Sequence, residues 1–311
     1  MKEFKPMLKL NLQHFATPTD PGNTTKKNKH VGILEKVTAA NSYATPALIS
    51  NDAIFMQGRN FTVIKGDTTE LKDYDRKNAN PYDNVQITEQ KYYLNEEKYW
   101  GRFVDALDKR DTEGNIDKDY VVARQAAEVV APYLDQLRFS TMARNKAEHL
   151  TLGTAKDATY NSVLGVSEKL AEQGSRGGRR VLFVSPSYYT KIKQYVVGLP
   201  QGDTNQRVLG MGVQGTLDGF VVVTVPSKFL QGVEAIATAG EVLASPIQAD
   251  MAKENNNVPG RFGTLVEQLI YTGAFVPTHL QSKIFTIGGT EVTGAKDGED
   301  VHAPEDTGST T

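Results

Sequence analysis

The chain has 311 residues, 39% of them hydrophobic and 23% charged, with a formal net charge of −2 and no cysteine. That length supports one large or two ordinary domains with real cores, and the absence of cysteine excludes a disulfide framework and thiolate chemistry. A near-neutral balance with a pI of about 6.2 argues against a dedicated DNA-binding protein, and no apolar run approaches the roughly 18 residues of a membrane span.

The charge is unevenly placed. Residues 1–30 carry six lysines against Glu3 and Asp20, whereas residues 291–311 carry six acidic residues against Lys296. Both ends are rich in Thr, Gly, Asn and Pro, so solvated, disordered tails are expected, the basic one with the option of ordering against a neighbouring subunit. Lys9, Asn11 and Gln13 interrupt any apolar run near the N-terminus, so no secretory signal is inferred.

In chain order, Pro18–His30 reads as linker, and Thr45-Pro46 breaks a weakly apolar stretch. Asn60–Lys65 alternates through Phe61 and Val63, and Gln86–Tyr93 returns as a second strand. Between them Gly66–Asn84 is mostly polar and long for a loop without its own core. Two strands with no third partner are marginal in water, so this hairpin must lie on something, either its own molecule or the next subunit.

Asp117–Leu150 predicts one long helix, with an inner stripe of Tyr120, Ala123, Ala127, Val130, Leu134 and Leu137. Asp117 is placed to cap it. Arg124 with Glu128, and Asp135 with Arg138, are helical pairs expected on solvated positions, with Lys146 and His149 in the last turn. Pro132 removes an amide donor mid-helix, so a bend is expected near residues 128–132. Beyond it come a helix at Val163–Gln173, a buried strand at Arg180–Ser185 and a helix at Ser187–Val197 led by Pro186. A loop at Leu199–Gly215, strands at Phe220–Val225 and Val233–Ala239, and a short helix or turn at Gly240–Ser245 follow. After a loop at Asn255–Gly263, Thr264–Phe275 and Lys283–Ile287 are expected to form a last strand pair. The class is mixed, α+β or α/β.

Catalytic signatures are lacking. Gly210–Gly215 matches GxGxxG but leads to a turn and strand rather than a helix, so it does not fit the dinucleotide fingerprint. Asp111–Asp119 alternates oxygen donors, yet Gly114 comes too early for a calcium loop and no glutamate closes it. Gly174–Arg180 is basic and glycine-rich but precedes a strand and lacks GK[ST], and the five histidines form no HxxxH pair. No catalytic residue, cofactor or metal is therefore assigned.

From about Ala53 to Ile287 the order of parts resembles the major capsid proteins of tailed bacteriophages. The local matches are LKDYDR at Leu71–Arg76, FVDALD at Phe103–Asp108, RVLFVSPSYYTKIKQ at Arg180–Gln194, DGFVVVTVPSKFL at Asp218–Leu230 and VPGRFGTLVEQLIYTGAFV at Val258–Val276. The opening LKLNLQHFA also looks like the start of capsid or scaffolding proteins from phages of Gram-positive hosts. The resemblance implies an α+β fold with an N-arm at 1–46, an extension loop with a hairpin at 47–104 and a spine helix of a peripheral domain at 105–154. It further implies an axial domain at 155–250, a returning peripheral sheet at 251–289 and an acidic disordered tail at 290–311. In that family the hairpin tip lies across a neighbouring subunit. The implied contact residues are Lys72, Asp73, Asp75, Arg76 and Lys77 on the tip, with Asn255, Asn256, Asn257 and Arg261 opposite. Some members join such positions by a Lys–Asn isopeptide bond, for which Lys72 or Lys77 would be the donor, but most do not and none is expected here.

The function implied is a self-assembling shell subunit in the virion, built in the host cytoplasm. Its implied partners are further copies of itself, a separate scaffolding protein, a portal protein and double-stranded DNA held by weak nonspecific contact, with no membrane involved. Within the same fold the alternative is an encapsulin-like cellular shell. From another class it is a nucleotide-binding enzyme resting on Gly210–Gly215.

Overall fold

The computed structural model describes residues 41–49, 54–57, 60–66, 71–74, 76, 79–80, 82, 84–113, 117–155, 157–174, 179–197 and 216–298. The expected N-arm before residue 41, the glycine-rich loop at 199–215 and the tail after residue 298 lie outside them.

The hairpin forms, and it has a third strand. β1 (Ile54–Gln57) pairs antiparallel with β2 (Asn60–Gly66), and β2 with β3 (Ile87–Tyr93). The base of this sheet is rooted in the chain's own core. Phe61, Tyr92 and Phe275 stack with ring centroids 5.2–5.5 Å apart, joined by Val63, Leu94 and Ala244. Buried Gln90 accepts from the Tyr92 hydroxyl at 3.0 Å and from the Thr278 amide at 3.3 Å. Tyr92→Phe should therefore lower unfolding free energy by about 1 kcal/mol, the net worth of one buried hydrogen bond. Denaturant titration checks this, and an unchanged midpoint would mean the hydroxyl contributes nothing.

β4 (Glu96–Asp105) runs into α1 (Ala106–Asp111), for which the Asp105 carboxylate caps the Leu107 amide at 2.8 Å. The spine follows as α2 (Lys118–Gln125), a π turn (Ala126–Val130) and α3 (Ala131–Arg144). Asp117 caps it as expected, accepting from the Tyr120 amide at 2.9 Å. Where a bend is expected, the helix widens into a π turn, in which Ala131 N–H reaches back to the Ala126 carbonyl. Pro132 has no N–H to offer the preceding turn and its ring crowds the carbonyl of Glu128, so a wider turn relieves both conflicts.

The spine ends earlier than expected, at Arg144. Residues Glu148–Leu150 form β5, parallel to β12 (Ile284–Gly289), because that strand offers a ladder the last helical turn cannot match. His149 is accordingly a strand residue, with Nδ1 2.9 Å from the Thr286 hydroxyl. The inner stripe is also shifted. Val122, Ala126, Val130 and Leu134 are buried, whereas Tyr120 is 46% exposed.

The remaining elements are α4 (Ala158–Glu172), β6 (Arg180–Val184), α5 (Pro186–Val197), β7 (Thr216–Leu217), β8 (Phe220–Thr224), β9 (Val233–Ala239), β10 (Ile247–Asn255) and β11 (Gly263–Thr272). A six-stranded mixed sheet has the order β5-β12-β9-β6-β8-β7. β6 reads as a continuous apolar run because both its faces are covered. Val181 and Phe183 meet Phe139 and Met142 of the spine on one side, while Leu182 and Val184 meet Val163, Val166 and Tyr188 of α4 and α5 on the other. A second sheet, β10-β11-β4, carries the first half of the spine through Ile270, Trp100, Ala126, Val130 and Leu134. The expected pairing of the last two strands is therefore corrected: β11 pairs with β10 and β4, whereas β12 joins the other sheet beside β9. The six-stranded sheet thus draws β5 and β12 from outside residues 155–250.

Candidate functional site

Among the described residues no group of three His, Asp or Glu side chains is placed to hold a metal ion, and no helix is long and apolar enough to cross a membrane. Gly210–Gly215, with Asp75 and Lys77, lies outside the described residues. What the molecule presents instead is surface.

The connection between β2 and β3 is the first such surface. Lys72, Asp73 and Arg76 are exposed there, as the sequence predicts. The tip is less polar than its composition reads, however. Leu71 is fully exposed, Tyr82 is 87% exposed, and Tyr74, Val85 and Ile87 stand out beside them. Several exposed apolar side chains within one connection mark an interaction surface more than isolated ones do.

The turn between β10 and β11 is the second. Asn255, Asn256, Asn257 and Arg261 are all exposed, and they sit together on a different sheet from the hairpin tip. The Asn257 amide bonds to the Asn255 side chain at 2.9 Å, and Asn256 accepts from the Thr264 hydroxyl at 2.9 Å. Arg261 lies 5.4 Å over the Phe103 ring, and the Ala106 amide bonds to the Phe262 carbonyl at 3.0 Å. Gly263 makes this turn possible, since a Cβ there would lie 2.2 Å from the Val104 carbonyl oxygen. The result is a loop, tied by these contacts, that presents Phe262, 87% exposed, next to exposed Leu107. A cleft of about 420 Å³ runs beside them, and one of about 490 Å³ separates β4 and α1 from the start of the spine.

Behind these surfaces lies a buried ionic network that the sequence reading misplaces on solvated positions. The Asp135 and Arg138 side chains are 1% and 3% exposed. Asp135 accepts from the Ser42 hydroxyl at 2.5 Å and the Tyr43 amide at 2.9 Å, while Arg138 donates to Ser42 at 2.8 Å and Ser245 at 3.1 Å. Their own N···O separation is 3.9 Å, so the shared Ser42 hydroxyl rather than a direct hydrogen bond joins them. Burial raises the Asp135 carboxyl above its ordinary range, and burial lowers the Arg138 guanidinium to about 10. Ala47 accepts from the Val242 and Leu243 amides at 2.9 and 3.0 Å, and the Ile49 amide donates to Leu243 at 2.9 Å. Residues 42–49 are thereby stitched between the spine and the segment after β9. The surface pair Arg124–Glu128, at 2.8 Å and more than half exposed, is where the sequence predicts it.

No protein-family profile and no curated protein sequence matches the chain. Solved structures do. A structure from Mycobacterium phage Che8 aligns at 17% identity and TM-score 0.55, covering 74% of this chain and 85% of that one. The capsid structure of the cyanophage P-SCSP1u aligns at 10% identity and TM-score 0.53, covering 78% and 85%. A virus-like particle from Pyrococcus furiosus aligns at 12% identity and TM-score 0.52, covering 84% and 98%.

Proposed function

We propose that this chain, which has the major capsid fold of tailed bacteriophages, is a structural subunit that assembles into the closed icosahedral shell around a phage genome. The observation that carries this reading is the hairpin: its base is locked into the chain's own aromatic core while its tip holds Leu71, Tyr74, Tyr82 and Val85 out in solvent. A projection built this way is matched to a neighbour. The tip, with Lys72, Asp73, Asp75, Arg76 and Lys77, is the proposed donor surface, and Asn255–Asn257 with Arg261 belong to the proposed receiving side. Residues 1–46 act as the N-arm, 47–104 as the extension loop, 155–250 as the axial domain, and 105–154 with 251–289 as the peripheral domain, save β5 and β12, which complete the axial sheet. The partners are other copies in hexamers and pentamers, a separate scaffolding protein, a portal protein and packaged double-stranded DNA, in a virion assembled in the host cytoplasm. Its role is geometric rather than catalytic. Co-expression with its genomic neighbours, followed by sedimentation, tests the assembly: fast-sedimenting closed particles are expected, and a chain that stays monomeric while binding a dinucleotide tightly would favour the enzyme reading.

The likeness to the Pyrococcus furiosus particle supports a second reading, an encapsulin-like cellular shell. The contents of purified particles separate the two, since nucleic acid marks a virion and a cargo enzyme marks a compartment.

Shells should contain no covalent crosslinks. Asn255 and Asn256 are already engaged within their own loop, by the Asn257 amide and the Thr264 hydroxyl at 2.9 Å each, which ties up their side-chain oxygens away from a lysine donor. Boiled particles should run as a 34.1 kDa monomer on denaturing gels, and a ladder of multimers would overturn this.

A further inference from the structure

The acidic segment after β12 is expected from sequence to be a disordered tail, yet residues 290–298 are bound across the molecule. Asp297 is the centre. One carboxylate oxygen accepts from Arg144 Nη2 at 3.1 Å. The other accepts from Asn145 Nδ2 at 2.8 Å and from the Val276 amide at 3.0 Å. The Asp297 amide donates to Asn145 Oδ1 at 2.6 Å, and its carbonyl accepts from Gln281 Nε2 at 2.9 Å. Upstream, Lys146 Nζ donates to the Val292 carbonyl at 2.6 Å and pairs with Glu291 at 3.1 Å.

The location gives these bonds their meaning. Between the sheet β10-β11-β4 and the six-stranded sheet the chain passes along the spine, whose Phe139 and Met142 already pack on the latter, and it crosses again at Gly240–Pro246 and at Gly273–Lys283. The strap grips the end of the spine through Arg144, Asn145 and Lys146 and the last crossing through Val276 and Gln281. The other crossing is held separately, by Arg138 on Ser245.

Its attachment is polar almost throughout. Val292 is its apolar contact with the core, Glu291 is 52% and Arg144 38% exposed, and the Asp297 carboxylate, at 7%, is the one charged group of the strap that is seated out of solvent. It leaves β12 through Gly288 and Gly289, whose φ values of +63° and +72° suit glycine. Segments with little buried apolar area open at low free energy, independently of global unfolding.

We propose that residues 290–298 are a releasable strap, and that Arg144, Asn145 and the Val276 amide form a carboxylate socket in which Asp297 is the displaceable occupant. With Asp297 seated, the last crossing is clamped to the end of the spine. With it out, that crossing and the segment that leaves the spine loosen while each sheet keeps its own ladder. The clamp belongs to the isolated subunit and is present with or without a shell.

Native-state hydrogen exchange on the full chain tests this. The informative amides are Ala147, bonded to the Ile284 carbonyl at 2.7 Å, and Leu280, bonded to the Pro277 carbonyl at 2.8 Å. Neither bond involves Asp297. Asp297→Ala removes a charged hydrogen-bonding group and should speed exchange at both by about tenfold or more, equivalent to about 1.4 kcal/mol. Asp297→Asn should fall between. Acceleration confined to residues 290–298 and Val276 would overturn the proposal, leaving a tail that merely lies on the surface. Should Asp297→Ala prove unfolded, wild-type chain in rising sodium chloride decides: Ala147, Leu280 and the strap amides should accelerate together as ion pairs are screened, and independent or salt-insensitive rates would sink the clamp.

Discussion

Replacing residues 67–86 by an Asn-Gly turn should yield a folded, soluble subunit that forms no closed shell. The register allows the replacement, because Gly66 and Ile87 are the last paired residues of β2 and β3 and a two-residue turn can join them. The aromatic base of Phe61, Tyr92 and Phe275 is untouched, so the isolated subunit should lose little stability. What disappears is the exposed set Leu71, Tyr74, Tyr82 and Val85. Burying one such side chain against a neighbour contributes about 1.5–3 kcal/mol, whereas an exposed ion pair from Lys72 or Arg76 contributes at most about 1 kcal/mol. The apolar residues should therefore dominate the contact, and closure repeats it at every copy. Circular dichroism and thermal melting check the fold, and sedimentation with electron microscopy checks assembly. Normal shells from the shortened chain would remove the hairpin's intersubunit role; an unfolded subunit would assign the tip to the subunit's own core.

Asp135→Ala should destabilise the subunit by about 3–5 kcal/mol, since it strands the buried Arg138 guanidinium without its compensating charge. Asp135→Ala combined with Arg138→Met should be less damaging than the single change, because no uncompensated buried charge remains. Urea titration measures both. A single-variant loss below about 1 kcal/mol would mean that Ser42 and Ser245 alone satisfy Arg138, as in an ordinary pair of neutral hydrogen bonds. The pH dependence has a definite sign. Burial raises the Asp135 pKa in the folded chain, so the folded state holds this proton more tightly than the unfolded one. The associated stability is fully present below the ordinary carboxylate pKa, near about 3.9, and is lost as pH rises through the raised value. Asp135→Asn should abolish that component, so the stability of wild type relative to this variant should fall between strongly acidic and neutral pH.

Asp135 and Arg138 also show where sequence reading stops. An acid and a base three residues apart look the same on a solvated helix face and in a core, and only the arrival of residues 42–45 and Ser245 from distant parts of the chain distinguishes them. β6 and β9 were legible because both faces of a central strand are covered, which forces apolar runs. β4 and β10 were not, since EEKYWGRFVD and IQADMAKEN carry no clean alternation and are fixed by β11 between them. Pro132 announced an interruption, and local sterics delivered one as a π turn. The last helical turn was lost to β5 because β12 supplies a partner 137 residues away. For the surfaces, the positions of Lys72, Asp73, Arg76 and Asn255–Asn257 in exposed connections followed from turn chemistry. The apolar character of the tip did not, because Leu71, Tyr74 and Tyr82 are spaced among charges and read individually as unremarkable.

A cryo-electron microscopy reconstruction of particles assembled from this chain shows directly where the hairpin tip goes. A closed icosahedral shell is expected, with Leu71, Tyr74, Tyr82 and Val85 buried against the adjacent subunit. A closed shell whose tips stand free in solvent, or fold back on their own subunit, would contradict it.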